Sequence, residues 1–505
     1  AGSDALYGGD GNDTFVHGNG EVLDDIFGGD GNDIVDLSAE LTSGVDADLD
    51  NAQTMTGLGG TVDLVDIERF IGTQASDTIE AGFTATIDGQ GGDDIILGDF
   101  GTQSLIGGSG NDTFINGDGE FIDDIDGGTG NDTVDMSADD FRAVDANLGQ
   151  GTFTANGGTR NLLNIENFIG TQLDDTITGS DGVNSLSGQG GDDILAGGLG
   201  ADALYGGDGT DTADFSGSGA GIEIRLNGAA GRGGDAQGDR LFEIENAVGS
   251  AFADSLTGNG GANAIEGGGG ADSIIGAAGD DDLSGQASGD QIRGNAGNDT
   301  LDGGEGNDRL FGDEDEDLLL GGAGNDRIFG GGDNDTIEGG AGDDSLFGTF
   351  GADLIYGGED DDFIAGNRGS DVLFGGEGDD SLNGNEFADV LFGGEDDDDL
   401  FGSSGQDELF GGTGADTLDG GSDGDTLTGG AGADTFEFTR TGGIDRITDF
   451  EDGVDVLDFT DNGLRFSDFE VSTFGDNEGT KLVGGGFTVF LEGIDTTDID
   501  ANDFL

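Results

Sequence analysis

The chain has no cysteine, no proline and no tryptophan, and its 505 residues include one histidine and 14 lysines and arginines. Each shortage excludes something. Without cysteine no disulfide can hold the fold, so a chain working outside the cell needs another staple. Without proline every strand residue keeps its backbone donor, and no slow cis–trans step delays folding. No apolar run approaches the roughly 18 residues of a membrane span. No N-terminal signal peptide is visible. With His17 as the sole histidine there is no H-E-x-x-H zinc site, and a Ser-His-Asp triad has one candidate at most. The few cations stand against 110 acidic residues, for a formal net charge of −96. That balance excludes direct nucleic-acid binding and disfavours anionic lipid.

What is abundant is acid and glycine, and both are periodic. So much charge with only 33% hydrophobic residues ordinarily predicts disorder. The period argues otherwise. Residues 249–437 form 21 nonapeptides in unbroken register, on the pattern G-G-x-G-x-D-x-U-x with U large and apolar. Position one is always Gly, position six is Asp except at Asn263, and position eight is apolar from Leu256 to Phe436. A disordered acidic tail has no need of an apolar residue in every unit. A typical unit is Gly321-Gly322-Ala323-Gly324-Asn325-Asp326-Arg327-Ile328-Phe329. A strict short period marks a solenoid. In this motif the chain resembles the RTX (repeat-in-toxin) proteins. The resemblance implies an all-β fold, a right-handed parallel β-roll (a β-helix solenoid) that binds calcium, with a β-rich C-terminal cap.

The residue types suit that chemistry. Glycines reach turn angles that other residues reach only with strain, and they leave carbonyl oxygens bare. Calcium takes six to eight hard oxygen ligands in a forgiving geometry. Aspartate at position six offers carboxylate oxygen, and the turn carbonyls offer the rest. Positions one to six are expected to turn. Positions seven to nine are expected to form a short strand with its central residue inward. Two nonapeptides make a coil of 18 residues, so position-six aspartates meet across successive coils and ions bridge them. In the first half the candidate ligands are Asp13, Asp33, Asp94, Asp112, Asp132, Asp193, Asp202 and Asp211. In the long block they are Asp254, Asp272, Asp281, Asp290, Asp299, Asp308, Asp317, Asp326, Asp335, Asp344, Asp353, Asp362, Asp371, Asp380, Asp389, Asp398, Asp407, Asp416, Asp425 and Asp434. On the order of 20 or more Ca²⁺ ions would neutralise roughly 40 charges, so folding is expected to depend on the cation.

Three regions are expected. Residues 1–248 hold a longer repeat, with tandem copies at 8–106 and 107–205 and a shortened third copy from 206. Ile67-Glu68-Arg69-Phe70-Ile71-Gly72-Thr73 recurs as Ile165-Glu166-Asn167-Phe168-Ile169-Gly170-Thr171, and the third copy carries Ile244-Glu245-Asn246-Ala247-Val248. Each copy diverges from the nonapeptide into a strand-like insert. The insert reads as a wider coil with longer loops, or alternatively as a small docked β-domain. Residues 249–437 are the regular roll. In residues 438–505 the period stops and alternating strands follow, a layout that resembles the capping and type I secretion region of RTX proteins. At the other end, Ala1 to Tyr7 fit positions three to nine of a nonapeptide, so the chain is expected to begin inside a repeat of something longer.

No catalytic constellation stands out, and the chain is expected not to be an enzyme. Gly420-Gly421-Ser422-Asp423-Gly424 matches a nucleophile elbow but falls in nonapeptide turn positions. His17 is expected in a surface turn. At position nine, Tyr356, Phe374, Phe392 and Phe410 recur every 18 residues, and Phe311, Phe329 and Phe347 do so on the opposite face. They should stack in outward columns, either shielding the strands or serving self-association. The resemblance implies export by type I secretion machinery to an extracellular or cell-surface location. The expected function is a secreted calcium-binding structural component of the bacterial surface or matrix, of S-layer or biofilm type. The alternative is the calcium-folding and secretion region of a larger toxin, adhesin or hydrolase.

Overall fold

The computed structural model describes residues 4–19, 24–50, 53–57, 60–82, 85–98, 103–116, 123–139, 142–155, 158–439, 443–475 and 478–505. Among them every element is a β-strand except three short 3-10 turns, Gly234–Ala236, Thr460–Asn462 and Phe466–Asp468. The chain divides into two compact units, Ala1–Val248 and Gly249–Leu505.

The second unit is two parallel sheets built from alternate nonapeptides. On one sheet Thr300–Glu305, Leu318–Ala323 and Thr336–Ala341 pair in parallel, with Leu301 opposite Leu319 and Leu319 opposite Ile337. On the other, Arg309–Glu314, Arg327–Gly331 and Ser345–Phe350 pair the same way through Leu310, Ile328 and Leu346. The position-eight residues of both sheets are fully buried. Each contributes about 1.5–3 kcal/mol by leaving water. An apolar residue in every unit is therefore the price of a core only two side chains thick.

The strands are longer than the sequence suggests. The ladder runs on from position nine through positions one to three, so the turn is confined to positions four to six. Position two makes this possible by taking positive φ, 97° at Gly304 and 103° at Gly322. A Cβ at Gly322 would collide with the Gly304 carbonyl of the coil before it. The same site accepts Ala277 and Thr349 at φ 97° and 90°, with strain.

Beyond the last nonapeptide the parallel stacking continues for a short way before it turns antiparallel. Thr435–Glu437 pairs with Val456–Asp458, and Thr426–Ala431 pairs with Asp445–Ile447. Asp445–Ile447 then takes Phe487–Glu492 as its parallel neighbour. Gly479–Gly484 and Glu470–Phe474 follow that strand antiparallel. Phe438, Phe459, Phe469 and Phe487 are buried beside them, and Phe504 returns to bridge Leu457.

The first unit uses the same parallel stacking but interrupts it. Val45–Asp48, Thr54–Gly57 and Gly60–Val65 form an antiparallel meander. Its outer strands both join parallel ladders, Leu64 beside Ile26 and Ala47 beside Ile79. The second copy repeats this with Val144–Asn147, Thr152–Ala155 and Gly158–Leu163, whose ends meet Ile177 and Ile125. Both edges of each insert are therefore paired rather than left open. Val45, Ala47, Met55, Val62 and Leu64 alternate inward and are buried.

Candidate metal sites along the coil edges

Position six sits where one coil passes onto the next, and it makes a rung. The Asp272 N–H donates to Asp290 Oδ1 at 2.7 Å, Asp290 to Asp308 at 2.6 Å, and Asp308 to Asp326 at 2.7 Å. On the opposite edge Asp281 donates to Asp299, and Asp299 to Asp317, each at 2.8 Å. Each aspartate carbonyl meanwhile accepts the position-seven N–H of the next coil, as Asp281 does from Thr300 at 2.8 Å. One residue thus ties successive coils through both backbone and side chain.

That accounts for Oδ1. The second oxygen is the informative one. In the candidate ligands other than Asp254 and Asp434, Oδ2 is buried and has no hydrogen-bond partner. An ionised oxygen left so costs on the order of 1–3 kcal/mol or more. A domain has only about 5–15 kcal/mol of net stability, so these groups must be neutralised in the folded state. The oxygens also have company. A Cβ added at Gly303 would strike Asp308 Oδ2 and lie 2.6 Å from the Gly321 carbonyl oxygen. Position one therefore has to be glycine, because carboxylate and carbonyl oxygen converge beside its α-carbon. Among the described residues no three acidic, histidine or cysteine side chains cluster together. A cation here must draw one carboxylate per coil and complete its shell with backbone oxygens. That donor set is hard and all-oxygen, and it fits calcium.

The protonation equilibria agree. Burial, reinforced by the carboxylates of adjacent coils, pushes Asp94, Asp335, Asp362, Asp389 and Asp398 from 3.8 up to about 8. It pushes Asp290, Asp317, Asp326 and Asp425 up to about 7. The rung hydrogen bond from the neighbouring coil pulls the other way and is outweighed. In the absence of cation these groups favour the folded chain most below the unfolded value of 3.8. That contribution is lost as pH rises through the folded values near 7 and 8.

Not every predicted residue is placed alike. Asp254 Oδ2 accepts the backbone N–H of Ser250 at 2.5 Å, and its Oδ1 accepts the Ser250 hydroxyl at 2.9 Å, both within its own turn. Asn184, Gln103 and Asn263 keep the onward rung through their backbone N–H groups, while the Oδ1 atoms of Asn184 and Asn263 accept the Ser180 and Asn259 N–H groups of their own turns. The N–H groups of Asn184 and Asn263 donate onward to Asp202 and Asp281, and that of Gln103 donates to Asp123. His17 is half-buried rather than in a surface turn. Its Nε2 is buried in a recess lined by Phe15, Ile26, Val35 and Leu37, because the strand preceding it lies at the side of a coil.

The sequence reading also missed rung residues. Asp77 and Asp175 stand at position six of units that begin at Gly72 and Gly170, and the Asp-x-Ile spacing could have revealed them. Asp239 accepts from Asp202 at 2.7 Å, and its Oδ2 is buried and unpartnered. Asp445 and Asp455 extend the two ladders past the last nonapeptide, at 3.3 Å and 3.0 Å. Glu68, Glu166 and Glu245 take the aspartate's place after each insert.

Stacked coils edged with partnerless carboxylate oxygen define a calcium-binding β-solenoid. The comparisons with known proteins give the family. A family model described as the RTX calcium-binding nonapeptide repeat matches residues 1–21, 24–39, 169–204, 178–213, 248–283, 284–319, 311–346, 338–373, 374–409 and 402–436. These matches take in more than half of the chain, which belongs to the RTX calcium-binding repeat family. No curated protein matches the sequence. Among solved structures the chain is similar to the AlgE6R3 subunit of the Azotobacter vinelandii mannuronan C5-epimerase. The two are 33% identical, over 24% of this chain and 80% of that one, with a TM-score of 0.21.

Proposed function

We propose that this RTX calcium-binding protein is a secreted structural component of a bacterial surface or extracellular matrix, folded by the calcium it meets outside the cell. The observation that carries the reading is the pair of rung ladders with their buried, partnerless Oδ2 atoms. In low cytosolic calcium the acidic chain stays unfolded and threadable, and outside the cell ion binding drives folding. The position-six aspartates are the ligands, one ion bridging each pair of successive coils. Residues 438–505 serve as cap and export region. Among the described residues no helix is long and apolar enough to cross a membrane. We read the chain as non-catalytic, with His17 set among apolar side chains.

Support for an assembling role comes from the outward columns. Tyr356, Phe374, Phe392 and Phe410 stack with ring centroids 4.8 to 4.9 Å apart, and Phe311, Phe329 and Phe347 at 5.2 and 4.9 Å. Light scattering across a calcium titration, with magnesium as control, tests the reading. Compaction followed by ordered growth into large particles is the expected result. Compaction to a stable monomer would overturn the matrix role and favour a calcium-folding region serving a larger protein. Deleting residues 446–505 should leave the chain inside the producing cell, and secretion of that truncation would count against the export role.

A further inference from the structure

The three glutamate rungs share a construction that the nonapeptide does not have. Asp33, Asp132 and Asp211 are each fully buried, and each Oδ2 lacks a hydrogen-bond partner. In a regular coil the facing carbonyl comes from the next position-one glycine. Here it comes from a residue on the far side of an insert. A Cβ added at Gly28 would overlap both the Asp66 carbonyl and Asp33 Oδ2. At Gly127 it would overlap the Asn164 carbonyl and meet Asp132 Oδ2 at 2.6 Å, and at Gly206 it would overlap the Glu243 carbonyl and Asp211 Oδ2.

Asp66, Asn164 and Glu243 are non-glycine residues held at φ 53°, 52° and 53°. That backbone is costly for such residues, and it persists where the surroundings over-determine it. The same strained angle in three copies aims three carbonyls at three buried carboxylates. Two residues on, Glu68 Oε2 accepts the Asp33 N–H at 2.7 Å, Glu166 Oε2 that of Asp132 at 2.8 Å, and Glu245 Oε2 that of Asp211 at 3.0 Å. Each glutamate stands in the register position of a rung aspartate, since the next residue's N–H still donates to the aspartate carbonyl, Arg69 to Asp33 at 3.0 Å, Asn167 to Asp132 at 2.9 Å and Asn246 to Asp211 at 2.8 Å. Two of the sites adjoin open recesses, one lined by Gln53, Asp66 and Glu68 and one by Asp208, Glu243 and Glu245, which give an ion a way in.

We propose that each wide coil carries a calcium site of its own, formed by the position-six aspartate, the carbonyl of the left-handed residue and the glutamate, and that the ion clasps the two ends of the insert. The strands it joins are already paired, Ile34 beside Arg69, Thr133 beside Asn167 and Thr212 beside Asn246. The ion closes the neck through which the chain leaves the stack and returns. This rests on the calcium reading above but adds to the nonapeptide aspartate a carbonyl and a carboxylate from outside any nonapeptide.

The test compares wild type, the triple variant E68Q/E166Q/E245Q, and D326N in the regular stack, all in the full chain. Glutamine keeps an acceptor for the rung N–H and removes the charge. Bound calcium is counted by equilibrium dialysis with metal analysis, and hydrogen exchange is followed across a calcium titration. The triple variant should bind three fewer ions. Protection of Val45–Asp48, Gly60–Val65, Val144–Asn147 and Gly158–Leu163 should need about tenfold more calcium, while Thr300–Glu305 and its neighbours keep their midpoint. A triple variant that keeps its full ion count, while D326N loses ions, would overturn the neck sites alone. A wild type that binds no calcium would overturn both this and the reading beneath it. Should the triple variant fail to fold its first unit, the single variants decide. Each should lose one ion, and one that keeps it sinks the proposal.

Discussion

The regular stack of residues 249–437 and the interrupted stack of residues 1–248 make the same rung by different means. In the regular stack each rung joins residues 18 apart, as Asp326 to Asp344. In the first unit the rung from Asp33 spans 35 residues and those from Asp132 and Asp211 span 34. The regular stack needs only glycine, aspartate and one apolar residue, because identical coils put identical atoms opposite one another. Across three of the inserts the strand register is kept, as Ile34 beside Arg69, but the rung acceptor is a glutamate and the facing carbonyl comes from a left-handed residue, whereas Asp202 spans 37 residues to an ordinary aspartate, Asp239. The oxygen arrangement is therefore kept while the residues that supply it change.

The largest effect expected is from calcium itself. Chelation should abolish most β-structure in both units, read by circular dichroism, since neither stack can leave its Oδ2 atoms charged and bare. A regular stack that stays folded without cation would break the argument for both. Next come core truncations. Leu346→Ala and Met55→Ala each empty a fully buried position and should cost about 2–5 kcal/mol in calcium-saturated unfolding. In a solenoid each coil touches only its neighbours, so exchange protection should fall on either side of Leu346. The loss at Met55 should stay within its meander.

The pH response is smaller but carries a definite sign. With folded values near 7 and 8 against 3.8 unfolded, the cation-free chain should be more compact at pH 5 than at pH 8. At pH 5, where the cation-free chain is compact, calcium binding should release protons, measurable as a dependence of the calorimetric heat on buffer ionisation enthalpy. No proton release would show that the carboxylates are not held protonated in the cation-free fold. Smallest is the aromatic column. Phe392→Ser removes stacks on Phe374 and Phe410 and should cost about 1–3 kcal/mol in all. The double change of Phe374 and Phe392 to Ser should also abolish self-association while leaving calcium-induced folding intact. Association that persists would limit the column to packing.

Much of the regular stack was legible in advance. Position eight of every unit is inward because alternation within the strand demands it, and position six sits on the edge because the turn follows it. The length of the strands was not legible. Whether positions one to three turn or pair depends on the φ adopted at residues such as Gly304 and Gly322, and glycine permits either. Nor was the fate of Asp254 legible, since a serine at position two captures its carboxylate within the turn.

By itself, the sequence determined the coil length, the inward face and the ladder of position-six carboxylates. A period of nine with strand alternation leaves no other register in which every apolar residue is covered. Tertiary structure decided how each insert leaves and rejoins the stack, and so which distant residues complete the rung after it. Glu68 is paired with Asp33, and Asp66 given its left-handed carbonyl, by the way the meander of Val45–Val65 folds back onto Ile26. Those partners depend on the path of an insert outside the nonapeptide period; the longer repeat marks Glu68, Glu166 and Glu245 as equivalent but does not say which aspartate each one meets.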